Sequence, residues 1–158
     1  MAALIGVAAL IAGCGGSSSS KAGSAAAAAS AGAVVIGTTT GPAGTYLTDA
    51  DGRTLYLWVG DGTGKSNCAG DCAISWPPLT TTGAPSGTGG VKAADLGTIT
   101  RPDATKQVTY MGHPLYYFAN DVGGGSASGQ GSDSFGAKWW LVAPSGAAIT
   151  TVPPAAGY

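Results

Sequence analysis

One stretch occurs twice in this chain and limits what it can fold into: Leu55-Tyr56-Leu57-Trp58-Val59-Gly60-Asp61 returns sixty residues on as Leu115-Tyr116-Tyr117-Phe118-Ala119-Asn120-Asp121. Each copy follows a turn-forming pair, Asp51-Gly52 or Met111-Gly112. Side chains alternate faces along a strand, so Tyr56 and Trp58 share one face, as do Tyr116 and Phe118. Leu55, Leu57 and Val59, with Leu115, Tyr117 and Ala119, share the other. Both faces are apolar, which predicts a strand sandwiched between layers or one that shows its rings to a partner.

The composition agrees with strands. Twenty-eight residues are Gly, and every acid is Asp, a bias toward turn formers and away from helix formers. Charge is sparse, with seven Lys plus Arg against eight acids. No basic stripe is available for nucleic acid, and that class of partner is set aside. The reading is an all-β, small single domain of two pseudo-equivalent β-hairpin-based repeats packed together.

Residues 1–13 are an apolar run too short to span a bilayer, and they read as the end of a signal peptide. Ile11-Ala12-Gly13-Cys14 matches a bacterial lipobox, in which Cys14 carries the lipid and becomes the mature N-terminus. No Lys or Arg precedes the apolar core, and the expected explanation is a start placed too far downstream. Residues 14–32 then form a Gly/Ser/Ala tether with a reach of roughly 20–25 Å, enough to hold a domain off a membrane surface. The folded domain is expected over 33–152, with repeat one near 44–80, repeat two near 106–146, and a tail over 153–158.

Within the domain, a β-branched run at 34–36 predicts the first strand. Asp51-Gly52 predicts a hairpin whose second arm is the first aromatic stretch. Met111-Gly112 serves the second copy in the same way. Residues 80–90 read as a linker between halves, and 91–96 as one short helical turn. Each half is then hairpin, loop and a Trp-bearing strand, with Trp76-Pro77-Pro78-Leu79 echoed by the segment that begins at Trp139-Trp140. Cys68 and Cys72, four apart in an exported chain, are expected to form a disulfide. Its small loop contributes roughly 2 kcal/mol in the chain-entropy model. Zinc is disfavoured, because a structural site needs four ligands and His113 alone is left.

Asp61 and Asp121 are the most suggestive pair for chemistry. Brought face to face they would form an acid/base dyad; ending equivalent strands, they more simply accept backbone N–H groups from their own turns, or line a cation site with loop carbonyls. The aromatic faces either stack on a planar ligand or form the core between halves. Buried tyrosine hydroxyls need partners, and the two carboxylates are suitable ones. Met111-Gly112-His113 invites a copper reading, set against a His113 that is solvent-exposed in a turn. One His in a turn leaves no Ser-His-Asp arrangement, so no catalytic residue, cofactor or metal is assigned.

These residues resemble a family of bacterial exported lipoproteins described as a secreted repeat of unknown function, marked by a Tyr-x-(Phe/Trp/Tyr)-x-x-Asp motif. Tyr56, Trp58 and Asp61 match one copy, and Tyr116, Phe118 and Asp121 the other. Further echoes are Cys68 to Cys72, Arg101-Pro102-Asp103 with Gln107, and Gly129-Gln130-Gly131. The usual Asp-Gly turn stands here as Asp103-Ala104. The resemblance implies export and a two-repeat domain, and it implies no activity. The expected function is that of a cell-envelope lipoprotein on the extracytoplasmic face of a bacterial membrane. It would be a non-catalytic structural or interaction module whose partners are the membrane, through Cys14, and an envelope protein or small ligand. The alternative is a small-ligand or metal-binding protein using the aromatic strands with Asp61 and Asp121.

Overall fold

The computed structural model describes residues 32–153. Cys14, the expected signal peptide and all but the last residue of the expected tether lie outside the described residues, as do residues 154–158 of the expected tail. Strands dominate: β1 (Val35–Gly41), β2 (Gly44–Asp49), β3 (Tyr56–Trp58), β4 (Ser86–Gly87), β5 (Leu96–Thr100), β6 (Lys106–Tyr110), β7 (His113–Pro114), β8 (Asp133–Ser134), β9 (Ala137–Val142) and β10 (Ala148–Ile149). One short helix, α1 (Asp71–Ser75), and a single 3-10 turn at Ala93–Asp95 complete the set. The all-β, two-repeat reading stands.

Each half opens with an antiparallel hairpin, β1–β2 in the first and β5–β6 in the second. After each hairpin the chain turns and lays down its aromatic stretch. At the second turn Met111 and Gly112 both have positive φ, 46° and 84°, as a two-residue hairpin turn requires. Leu55 N–H donates to the Leu47 carbonyl and Leu115 N–H to the Val108 carbonyl, so the two aromatic stretches leave their hairpins equivalently. This registers Leu47 with Val108, and therefore Tyr46 with Gln107.

Four expectations are corrected. The first aromatic stretch follows a hairpin only as far as the Thr48–Thr54 bridge and Leu55; Tyr56–Trp58 then leaves β2 and pairs with β9. Residues 80–90 are not a bare linker, because Ser86–Gly87 adds in parallel to β1 and Thr81 is buried. Trp76 ends α1 and is not on a strand: the Cys68–Cys72 loop closes into a helical turn, and Pro77 and Pro78 then force extended backbone. His113 is half-buried on β7, not solvent-exposed.

Two apolar clusters lie on opposite faces of the aromatic stretches. One is largely aliphatic and gathers Leu55, Leu57, Leu115 and Tyr117 with Ile36, Leu47, Val108 and Val142. The other is aromatic and gathers Tyr56, Tyr116, Trp76 and Trp139 with Leu141 and both cysteines of the disulfide. The alternation of the repeated sequence thus assigns one face to each cluster, and the stretches are the layer between them.

Candidate functional site

The two motif copies meet at Tyr56 and Tyr116, whose backbones pair antiparallel through N–H···O bonds of 2.9 and 3.0 Å. Antiparallel pairing of equivalent residues sets a local two-fold axis, and the motif side chains then cross it. The Tyr56 hydroxyl donates to Asp121 Oδ2 at 2.7 Å, and the Tyr116 hydroxyl donates to Asp61 Oδ2 at 2.5 Å. Each tyrosine therefore binds the aspartate of the other repeat.

The second ring of each motif obeys the same exchange. Trp76 and Trp139 stack at 3.9 Å with planes 3° apart. Trp58, from the first motif, stacks on Trp139 of the second repeat at 5.3 Å. Phe118, from the second motif, lies on Trp76 of the first at 4.3 Å. Within each repeat, the tyrosine packs at right angles to its own tryptophan, Tyr56 on Trp76 at 5.3 Å and Tyr116 on Trp139 at 5.2 Å. Such geometries each add about 0.5–1.5 kcal/mol beyond the area they bury. The backbone exchanges as well: β3 pairs with β9, while Pro78 bridges to Tyr116 and Leu79 N–H donates to the Leu115 carbonyl. Gly129 closes the stack, since a Cβ there would lie 2.7 Å from the Trp76 ring.

Both aspartates also take local donors. Asp61 Oδ1 accepts from Asn67 N–H at 2.7 Å, and Asp121 Oδ1 accepts from the backbone and hydroxyl of Ser128 and from the Ser126 hydroxyl. They share no hydrogen-bond partner. Each aspartate thus accepts a backbone N–H from the loop that follows it, six or seven residues on, while its other oxygen ties across the repeats. Burial raises the Asp61 carboxyl above its usual range, opposed by the Tyr116 hydroxyl, the Asn67 N–H and the charge of Arg101. Burial, then hydrogen bonding to a carboxylate, raises the phenols of Tyr56 and Tyr116, and Tyr117 is raised in the same way beside Asp49. Tyr117 donates to Asp49 Oδ2 at 2.8 Å, with the Arg53 guanidinium 3.7 Å over its ring.

Sequence reasoning gave Arg101 and Gln107 no role beyond a shared motif. Arg101 is 6 % exposed and Gln107 fully buried. The guanidinium donates to Ser66 Oγ, Gln107 Oε1 and the Cys68 carbonyl, at 2.7–2.8 Å. Ser66 Oγ also lies 2.7 Å from the Tyr116 hydroxyl. Tyr116 has one hydrogen and gives it to a carboxylate, so Ser66 donates to Tyr116 and accepts from Arg101. The chain Arg101, Ser66, Tyr116, Asp61 thus runs from cation to anion with every donor pointing toward the carboxylate. The only earlier signal was the Arg-Pro-Asp spacing before Gln107. The Cys68–Cys72 disulfide is present, with Cα atoms 5.3 Å apart, and it holds the loop that supplies the Cys68 carbonyl.

Among the described residues no group of three or more His, Cys, Asp or Glu converges as metal ligands would. No helix among them is long and apolar enough to cross a membrane. Compared with known proteins, residues 37–80 and 97–143 each match the family model described as a secreted repeat of unknown function. No curated protein and no solved structure gives a match. The two matched segments begin within β1 and β5, take in both aromatic motifs and both stacked tryptophans, and cover more than half of the sequence; the chain belongs to this family of secreted repeats and carries two copies.

Proposed function

We propose that this protein is a non-catalytic interaction module of the bacterial cell envelope, tethered to the extracytoplasmic membrane face through a lipid on Cys14. The crosswise Tyr–Asp bonds carry the reading. Both tyrosine hydroxyls and one oxygen of each aspartate join the repeats, the other aspartate oxygen is taken by its own loop, and the rings pack on one another instead of lining a slot. A rigid domain on a Gly/Ser/Ala tether suits a role in which surface, not chemistry, is presented.

Fractionation of a bacterium expressing the full chain tests the anchor. The wild type is expected in the membrane fraction with the mass of an added lipid on Cys14, and Cys14→Ser in the soluble extracytoplasmic fraction. Equal partitioning with no lipid mass contradicts the tether. For the module itself, Tyr56→Phe, held below its melting temperature, is expected to cross-link to the same envelope neighbours as the wild type. Loss of a neighbour from a folded Tyr56→Phe protein would assign the motif to recognition and contradict the structural role.

A further inference from the structure

Four rings form a column through the aromatic cluster. Trp58 stacks on Trp139 with centroids 5.3 Å apart and planes 11° from parallel, Trp139 stacks on Trp76 at 3.9 Å, and Phe118 closes the far end on Trp76 at 4.3 Å. The two end rings are partly exposed, and the two inner tryptophans are buried. An indole gives up an electron far more readily than a phenyl ring, so Trp58 is the end at which the column can be oxidised. Trp140 packs on the aliphatic cluster and is outside the column.

Each inner tryptophan also touches a phenol whose proton has a place to go. Tyr116 lies against Trp139 and donates to Asp61 Oδ2, and Tyr56 lies against Trp76 and donates to Asp121 Oδ2. These O–H···O bonds, 2.5 and 2.7 Å long, are as short as charge-assisted ones. A phenol that loses an electron becomes a strong acid, and a carboxylate already holding its hydrogen accepts the proton with little movement. Both tyrosines are fully buried, so a phenoxyl radical formed there is kept from coupling with a second chain.

We propose that the column is an electron-hole path, by which a one-electron radical oxidant meeting the domain at Trp58 is reduced and the oxidising equivalent is stored on Tyr116 or Tyr56. The oxidant takes one electron from the Trp58 indole and leaves its radical cation. Trp139 refills that vacancy, and Trp76 can refill Trp139 in turn. Tyr116 then gives one electron to Trp139 and its phenolic proton to Asp61, or Tyr56 gives them to Trp76 and Asp121. The products are the reduced oxidant, intact tryptophans, one neutral phenoxyl radical and one neutral carboxylic acid. Such a sink goes beyond the interaction role and does not depend on it.

The test is pulse radiolysis of the folded full-length protein with azide radical, at less than one radical per chain, following indolyl and phenoxyl absorbance. Indolyl decay is expected to match phenoxyl growth in a first-order step whose rate does not depend on protein concentration. Trp58→Phe should lose most of the phenoxyl yield, and Trp140→Phe none of it. Tyr56→Phe and Tyr116→Phe should each lose part of the yield, and the two together all of it. Adding Asp61→Asn to Tyr56→Phe should slow the remaining growth by about tenfold or more, about 1.4 kcal/mol of barrier. Where the double tyrosine variant does not fold, the contrast between Trp58→Phe and Trp140→Phe decides alone. A phenoxyl yield indifferent to Trp58→Phe, a growth rate that rises with protein concentration, phenoxyl persisting in a folded double tyrosine variant, or growth unchanged by Asp61→Asn overturns the proposal.

Discussion

Ala104 sits at φ 64° in the turn between β5 and β6, a left-handed backbone that costs a residue with a Cβ about 1–2 kcal/mol. The turn is closed by Ala104 N–H to the Arg101 carbonyl and Arg101 N–H to the Thr105 carbonyl, so the strain cannot relax without opening the hairpin that positions Arg101. Ala104→Gly is therefore expected to raise stability by about 1 kcal/mol and the melting temperature by about 3–6 °C. A thermal melt showing no rise, or a fall, would contradict the assigned strain. This position was legible in the chain, because a turn usually written Asp-Gly stands as Asp103-Ala104. The burial of Arg101 three residues earlier was not. An arginine before Pro-Asp reads as an exposed turn residue, and only the tertiary arrival of Ser66, Gln107 and the Cys68 carbonyl makes an interior place for it.

At the scale of elements, the alternating apolar faces of the two aromatic stretches foretold a layer with clusters on both sides, and the turns at Gly52 and Gly112 fell where glycine is needed. Strand partners were harder to read. Tyr56–Trp58 is short and apolar on both faces, so its pattern suits any neighbour, and a long-range partner, β9, wins over the local one because it brings Trp139 onto Trp58 and Trp76. The same ambiguity hid which aspartate each tyrosine would take. The crossed assignment makes a quantitative prediction for double-mutant cycles. Tyr56→Phe with Asp121→Asn, and Tyr116→Phe with Asp61→Asn, are each expected to show about 1–3 kcal/mol of coupling in denaturant unfolding. The same-repeat combinations, Tyr56 with Asp61 and Tyr116 with Asp121, are expected below about 0.5 kcal/mol. Coupling within repeats that equals coupling between them contradicts the geometry.

For the whole molecule, buried phenols set an alkaline limit. Tyr56, Tyr116 and Tyr117 are held neutral in the fold by burial and by neighbouring carboxylates, whereas in the unfolded chain they ionise near the usual value of about 10. Their contribution is full below that pH and is lost as pH climbs toward the raised native values, at up to about 1.4 kcal/mol per pH unit for each tyrosine. Three together remove about 4 kcal/mol per unit, enough to unfold a domain of ordinary stability before these phenols titrate in place. Phenolate absorbance at 295 nm and loss of near-ultraviolet circular dichroism are expected to rise together in one cooperative step. Reversible ionisation of all six tyrosines with the tertiary signal intact contradicts it. Asp61 contributes with its own sign in acid: its stabilisation is present below the ordinary carboxylate range and declines as pH rises through its raised value.

The arrangement of the whole follows from the exchanges at its centre. The duplication could be read from the chain, but it suggested two units packed together, whereas the tyrosines, the second motif rings and the tryptophan-bearing segments all cross over. Neither half contains a finished core. Chain fragments covering residues 32–90 and 91–153 test this most directly, each alone and then mixed at equal concentration, by near-ultraviolet circular dichroism and denaturant unfolding. Each fragment alone is expected to lack the stacked-tryptophan signal and a cooperative transition, and the mixture to regain both as a one-to-one complex. A fragment that alone, as a monomer, unfolds cooperatively with an ordered aromatic signal would contradict an interlocked pair of repeats.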